Sequence, residues 1–270
     1  MPHPLSSALA ARFEFLGQCG STNTELVARA ADAWPDFSVV ATADQTAGRG
    51  RLGRVWVAPP GQTLAVSVLL RPSFSLDSYG WLALVAGLAM ARAVDAVVTP
   101  AGGRPARELV TIKWPNDVQV DGLKVAGLLA ELLPAADGVV IGAGLNLTIP
   151  ADGLPTPNST SLILNGAHLD AAQPDDLLDR ALSAYLRELK QLYHALQQHA
   201  GDAEAAGIRQ LVEQRCSTIG QQVRVELPAG ETRFGWATGI DASGRLCYTD
   251  LADGSVQTVA AGDVTHLRYE

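Results

Sequence analysis

Hydrophobic and polar positions along this chain alternate between two periods. Residues 13–18, 38–42 and 63–70 are short apolar runs bounded by turn-forming residues, a pattern that predicts strands. Residues 109–113, 118–120, 123–133 and 138–147 predict four more, with Asp121-Gly122 and Asp137-Gly138 as hairpin-turn dipeptides between them. Helical spacing governs residues 22–33, where Thr22 and Glu25 fit a capping box, and residues 81–98, 174–199 and 203–215. Strands cluster in the middle of the chain instead of alternating with helices. The pattern predicts an α+β fold, a mixed and largely antiparallel sheet backed by helices.

The texture changes after Cys216. Residues 223–225, 234–236, 246–248 and Val256–Val259 read as short strands, separated by turns near 228–230, 242–244 and 253–254. A small barrel of about fifty residues is expected there, which divides the chain into residues 1–216 and 217–270. Residues 48–61 read as loop, 150–157 as a proline-rich loop and 101–108 as a variable loop.

Composition narrows the function classes. The 270 residues are 47% hydrophobic and 18% charged, with a formal net charge of -8, which argues against a general nucleic-acid binder. About twelve residues precede the first expected strand, too few for a helix-turn-helix, so no DNA target is expected. Residues 81–98 are apolar but short for a membrane span and carry Arg92 and Asp95, which predicts a buried helix and no membrane partner. The start of the chain does not read as a signal peptide. Cys19, Cys216 and Cys247 are odd in number and have no metal or redox spacing, in keeping with reduced thiols in a cytoplasm. The five histidines show no metal spacing and are expected mostly at the surface, and Trp34, Trp81 and Trp236 as core or interface aromatics.

Against the acidic balance, Arg49, Arg51 and Arg54 fall within six positions and are threaded by Gly48, Gly50 and Gly53, with Trp56 following. Glycine lets backbone approach a ligand, and arginine supplies forked donors for phosphate or carboxylate. Downstream, Lys113-Trp114-Pro115-Asn116-Asp117 sets a lysine, an amide and a carboxylate within five residues, and Lys124 follows seven positions after Asp117. No GxxxxGK[ST] is present, so a P-loop ATPase is not the reading. Each motif also has an ordinary explanation. The arginine run reads as a solvated basic loop, Lys124 as a strand-edge lysine, Asp117 as a turn residue, Thr22 as a helix cap and the Gly142/Gly144 pair as a bulge.

Together with Ser21-Thr22-Asn23-Thr24, Gln45, Lys124-Val125-Ala126-Gly127 and Gly142-Ala143-Gly144-Leu145-Asn146-Leu147, these motifs resemble the biotin protein ligases, in that family's order over about residues 13–165. Gly20 departs from the pattern, standing where many relatives place an acidic residue. The resemblance implies the class II synthetase-like biotin–lipoate ligase fold, with an SH3-like C-terminal barrel, and an enzyme lacking the repressor domain. It implies that the enzyme adenylates biotin with ATP and passes it to a lysine of a biotin carboxyl carrier protein. Alternatives of other substrate or class are a lipoate or acyl-carrier ligase and a non-catalytic biotin sensor.

The resemblance further implies biotin contacts from Ser21, Thr22, Asn23, Gln45, Gly48, Arg49, Gly50, Arg51 and Lys124. ATP or AMP contacts are implied for Arg49, Arg51, Arg54, Trp56, Lys113, Asn116 and Asn146, and catalytic roles for Lys124, Asp117, Arg51 and Lys113. The 48–56 loop is expected to be disordered when empty, with Arg51 as its clasp. Mg2+ is expected with ATP and its phosphates; no acidic cluster in the sequence identifies protein ligands for it. Exposed meander edges would suit a carrier or a second copy, hence a homodimer.

Overall fold

The computed structural model describes residues 3–99, 105–169, 176–226, 231–260 and, for the backbone, 263–266. Seven strands form the main sheet: β1 (Arg12–Leu16), β2 (Ser38–Thr42), β3 (Thr63–Leu70), β4 (Val110–Lys113), β5 (Asp117–Val120), β6 (Leu123–Leu132) and β7 (Val139–Asn146). Their order is β1-β2-β3-β7-β6-β5-β4. The first pair is parallel, because α2 (Thr22–Ala31) crosses over between β1 and β2, and the other five are antiparallel.

Period-two alternation assigns each strand residue to a face. Leu64, Val66, Val68 and Leu70 of β3, with Val139, Ile141, Ala143 and Leu145 of β7, belong to the large core together with α3 (Gly80–Val97) and α5 (Asp176–Gln198). On the opposite face Val40, Leu69, Val140 and Leu133 meet Leu26, Ala30 and Trp34 in a second, smaller core under α2. Each fully buried leucine contributes about 1.5–3 kcal/mol of transfer free energy. α2 covers only part of that second face. The uncovered remainder becomes the floor of a cleft.

α3 is apolar on all sides because it lies between the sheet and α5. By length and composition the Leu76–Val97 segment would suit a membrane crossing, yet 72% of its apolar window is buried inside the protein. A short α1 (Pro4–Ser7), not evident in the sequence pattern, docks on α5 through Asp179, whose carboxylate accepts the Leu5 and Ser6 amides at 3.0 and 2.9 Å.

Several expectations are corrected. Thr22 does not cap α2; Ser21 occupies the N-cap without a side-chain bond, and the Thr22 hydroxyl turns to Gln45 and Ser67 instead. Asp121-Gly122 forms the expected two-residue turn, at φ 49° and 81°. The second hairpin turns at Ala136 (φ 54°) in a longer loop, with no left-handed residue at Asp137 or Gly138. The 203–215 helix shrinks to α6 (Ile208–Arg215), and residues 106–109 of the expected variable loop form α4 (Ala106–Leu109). The expected turn at 228–230, most of 101–105 and the first residues of the helix expected from 174 lie outside the described residues. His3 is buried against Phe15, and of the three tryptophans expected as core or interface aromatics Trp34 and Trp81 are buried and Trp236 is about half exposed.

A second, five-stranded antiparallel sheet follows: β8 (Gln222–Glu226), β9 (Thr232–Ile240), β10 (Leu246–Asp250), β11 (Val256–Val259) and β12 (Asp263–His266), in the order β11-β10-β9-β8-β12. Its last strand was not evident in the sequence. Its inner residues, among them Val223, Ile240 and Leu246, join the same apolar cluster as the large sheet. The joint is also polar and specific. Trp81 Nε1 donates to Ala242 O at 2.8 Å, Trp114 Nε1 to Gly244 O at 3.3 Å, and the Trp114 amide to Thr218 Oγ1 at 3.0 Å.

Gly244 holds φ +83°, and a Cβ there would stand 2.9 Å from the Gly80 carbonyl carbon. Gly244→Ala is therefore expected to lower unfolding free energy by about 1–3 kcal/mol, read as a shift in urea midpoint at unchanged slope. A midpoint equal to wild type would show that the joint tolerates the methyl group.

Candidate active site

The cleft begins where β7 presents glycine. Residues 140, 142, 144 and 146 share one face of this strand, and of these Val140 belongs to the small apolar core under α2. At Gly142 a methyl group would overlap Asn23 Oδ1, and at Gly144 it would overlap the Trp56 indole. The pairing is regular through both glycines, so they are not a bulge; the one irregularity among β4–β7 lies between Val118 and Gln119. They are seats for two side chains that shape a cavity of about 400 Å³.

One end of the cavity is lined mainly by uncharged polar groups, with the Arg49–Glu131 pair behind them. Ser21, Thr22 and Asn23 reach it from the start of α2, and Gln45 from the loop after β2. The Thr22 amide donates to Gln45 Oε1 at 2.9 Å, which fixes the Gln45 amide with Nε2 as the remaining donor. Ser67 Oγ lies 2.8 Å from Thr22 Oγ1 and 2.6 Å from Asn23 Oδ1. Asn23 Nδ2 donates to Glu131 Oε2 at 2.6 Å. Ser67 and Glu131 did not emerge from the sequence reading, though each is a polar residue interrupting an apolar strand run.

The other end is strongly cationic. Lys113 and Asp117 are register partners at the tip of the β4–β5 hairpin, which turns through the cis Trp114-Pro115 bond. Lys124 Nζ lies 2.7 Å from Asp117 Oδ1 and 5.6 Å from the centre of the Trp56 ring. Lys124 itself is clamped by the segment after the proline-rich loop: its amide donates to Asn158 O and its carbonyl accepts from Thr160 N, both at 2.8 Å. Thr156 and Ser159 thereby line the cavity, two further residues that the sequence did not single out.

Arg51 and Arg54 add to this end from the roof. Burial holds Lys113 below the ordinary lysine range; Asp117 opposes that shift, while Lys124 and Arg54 reinforce it. Burial also disfavours the charged Arg51, against the pull of Asp117. Lys113, Lys124, Arg51 and Arg54 thus line this end together with the Asp117 carboxylate.

The roof is a tongue folded back on itself. Arg49 and Val55 pair as an antiparallel bridge, the Trp56 amide donates to Gly48 O at 3.0 Å, and Gly50 N donates to Arg54 O at 2.7 Å. Leu52 and Gly53 turn it at φ 54° and 75°. Arg51 Nη1 donates to Asn116 Oδ1 at 3.1 Å, and Asn116 Nδ2 to Leu128 O at 3.0 Å, so the tongue is tied to the wall. Arg49 points elsewhere, to Glu131 Oε2 at 3.0 Å and Thr24 Oγ1 at 3.2 Å. Gly48 does not line the cavity; its backbone packs under Trp56 and Gln45, where a Cβ would lie 2.9 Å from Gln45 Nε2.

Among the described residues, Trp56 Nε1, Asn146 Oδ1 and Asp117 Oδ1 are buried on the cavity lining without a protein hydrogen bond, though Asp117 Oδ1 is ion-paired with Lys124; the first two have no such partner. Such atoms in a cleft mark where a ligand supplies the missing bond. Among the described residues no group of three acidic, histidine or cysteine side chains is placed to hold a metal.

Residues 17–146 match the biotin/lipoate A/B protein ligase family, and residues 218–267 match the biotin protein ligase C-terminal domain. A Mycobacterium tuberculosis protein named biotin–[acetyl-CoA-carboxylase] ligase is 41% identical over 263 residues, 95% of this chain and 90% of its own length. This chain belongs to the biotin protein ligase family. A Paracoccus denitrificans ligase of the same name is 34% identical over 236 residues, 86% of this chain and 91% of that protein. The biotin protein ligase of Aquifex aeolicus, solved in complex with biotin and ATP, shares the fold with a TM-score of 0.68 over 94% of this chain and 98% of that one, at 23% identity.

The burial of Lys113 has a stability consequence with a definite sign. A lysine whose folded pKa is lowered destabilises the fold wherever it is charged in the unfolded chain, and the penalty fades as pH rises toward the ordinary value of 10.5. Lys113→Met is expected to raise the urea midpoint at neutral pH, with the gain shrinking as pH rises toward 10.5. Parallel unfolding of both proteins across that range checks it; a pH-independent difference would assign the effect to packing alone.

Proposed function

We propose that this biotin protein ligase makes biotinyl-5'-AMP from biotin and ATP and transfers the biotinyl group to one lysine of a biotin carboxyl carrier protein domain. The carrier of an acetyl-CoA carboxylase is the natural candidate, since both named relatives act on that enzyme. The observation that carries the reading is the polarity of a single cavity, neutral and hydrogen-bonding at one end and cationic at the other. A urea head with a carboxylate tail matches both ends. A lipoyl dithiolane would give the Gln45 Nε2 donor no acceptor, and nothing in the cavity favours it.

With biotin's ureido group at Thr22 and Gln45, its carboxylate reaches Lys124. The ammonium then exchanges Asp117 for the substrate carboxylate, while Arg51, Arg54 and Lys113 stabilise the charge on the α-phosphate. A carboxylate oxygen attacks that phosphorus and pyrophosphate leaves. In the second step the carrier amine attacks the acyl carbon and AMP leaves. Asp117, released from Lys124, is the base placed to take the proton of an amine whose ordinary pKa is about 10.4. The Trp56 indole and Asn146 carbonyl, both buried without partners, supply bonds to the nucleotide. Mg2+ enters with ATP and is held by its phosphates, since the described residues offer no acidic cluster for it. We assign the enzyme to the cytoplasm with no DNA or membrane partner, and a homodimer through a sheet edge is open to a sedimentation test.

Purified protein with Mg-ATP and biotin is expected to label one lysine of a carrier domain, and with lipoate none; labelling by lipoate alone would overturn the substrate assignment. Lys124→Ala is expected to cut biotin-dependent pyrophosphate exchange by about a hundredfold or more while the fold survives. Exchange at the wild-type rate under saturating biotin would reduce Lys124–Asp117 to a structural pair.

A further inference from the structure

Six residues form one hydrogen-bonded chain behind the neutral end of the cavity: Arg49, Glu131, Asn23, Ser67, Thr22 and Gln45. Two of them, Glu131 and Ser67, do not line the cavity and have no role in the reading above. Glu131 sits on β6, two residues beyond Leu129 on the face shared with Gly127, with about a quarter of its side chain exposed. One of its oxygens, Oε2, takes both Asn23 Nδ2 at 2.6 Å and Arg49 Nη2 at 3.0 Å. Ser67 lies on β3, fully buried.

The directions of these bonds follow from what each group can do. A carboxylate accepts only, so Asn23 must turn its amino group toward Glu131, where Leu129 O at 3.3 Å is a second acceptor. Its carbonyl oxygen then faces Ser67 and rests over Gly142. A flipped amide would set that oxygen against the carboxylate. Asn23 Oδ1 in turn draws the single Ser67 proton, across 2.6 Å. With that proton spent, the Thr22 hydroxyl is the donor to Ser67 Oγ, 2.8 Å away, or to Gln45 Oε1 at 3.3 Å, and in either case its oxygen keeps acceptor capacity on the cavity wall. Gln45, held by the Thr22 amide through Oε1, keeps Nε2 as donor.

We infer that Glu131 and Ser67 are specificity-determining positioning residues: the Glu131 carboxylate orients the proton chain so that the pocket presents one acceptor, Thr22 Oγ1, beside one donor, Gln45 Nε2. A cyclic urea, with N–H beside C=O, is the ligand chemistry this arrangement selects. Neither residue touches the reacting atoms. The inference rests on the biotin-ligase reading and adds to it the origin of head-group selection. It also places Arg49 at the head-group end through its pairing with Glu131, away from the phosphates.

Glu131→Gln keeps the shape but adds a donor, so the chain is free to run in either direction. Its KM for biotin in pyrophosphate exchange is expected to rise about tenfold, with kcat and the KM for ATP unchanged, since Lys113 and Asp117 stand on β4 and β5 and Lys124 at the opposite end of β6 from Glu131. Ser67→Ala breaks the chain midway without touching Arg49 and is expected to give the same split. The double variant should lose no more than either single one, because both interrupt one chain. Unchanged biotin KM in Glu131→Gln, a fall in kcat at constant KM, or losses that multiply in the double variant would each overturn the inference. A wild-type enzyme inactive with biotin would instead sink the underlying function. Thermal midpoints of all three variants separate a binding effect from loss of fold.

Discussion

The structure depends on what β7 places on its two faces. Every second residue, from Val139 to Leu145, is apolar and locks the sheet onto α3. The intervening positions begin apolar under α2 and then become Gly142, Gly144 and Asn146. A pleated strand cannot move one set without the other, since a one-residue slip exchanges the faces. The same packing that buries the core therefore sets glycine opposite Asn23 and Trp56 and leaves room for a cavity. Side chains at 142 and 144 would close it.

Charge divides that cavity. Lys113, Lys124, Arg51 and Arg54 come from the β4–β5 hairpin, the start of β6 and the tongue, and one carboxylate, Asp117, faces them. Burying like charges costs free energy unless partners are present. Burial shifts both Lys113 and Arg51 toward their neutral forms, and Asp117 opposes the shift at each. The other end is lined by Ser21, Thr22, Asn23 and Gln45, whose hydrogen bonds fix their orientation.

The second sheet is more than an appendage to this arrangement. Residues 216–218 pair with Ile112 on the edge strand β4, and Thr218 and Gly244 bond both the backbone and the indole of Trp114. Trp114 lies between Lys113 and the turn to Asp117. The hairpin tip that presents those two groups is thus held from behind by the C-terminal part of the chain, which also covers part of the β4 edge. An uncovered edge of that kind invites pairing with other chains.

The strands β2, β3 and β11, the central helix and the arginine–glycine tongue could be read from the sequence because their signals are local: two-residue and helical periods, and charged residues against glycine. The residues that converge on the cavity could be named there for the same reason, by motif. Ser67 and Glu131 could not be singled out, because a lone polar residue in an apolar strand has no meaning until its neighbour across the sheet is known. Thr22 was expected to cap a helix, a local role, and tertiary contact turned its hydroxyl to Ser67 and Gln45. Arg49 went to Glu131, 82 residues away, instead of joining Arg51 at the wall. Local sequence determined which elements form and which chemistry they carry. Only the packed sheet, by bringing distant strands within hydrogen-bond reach, decided which way each polar group points.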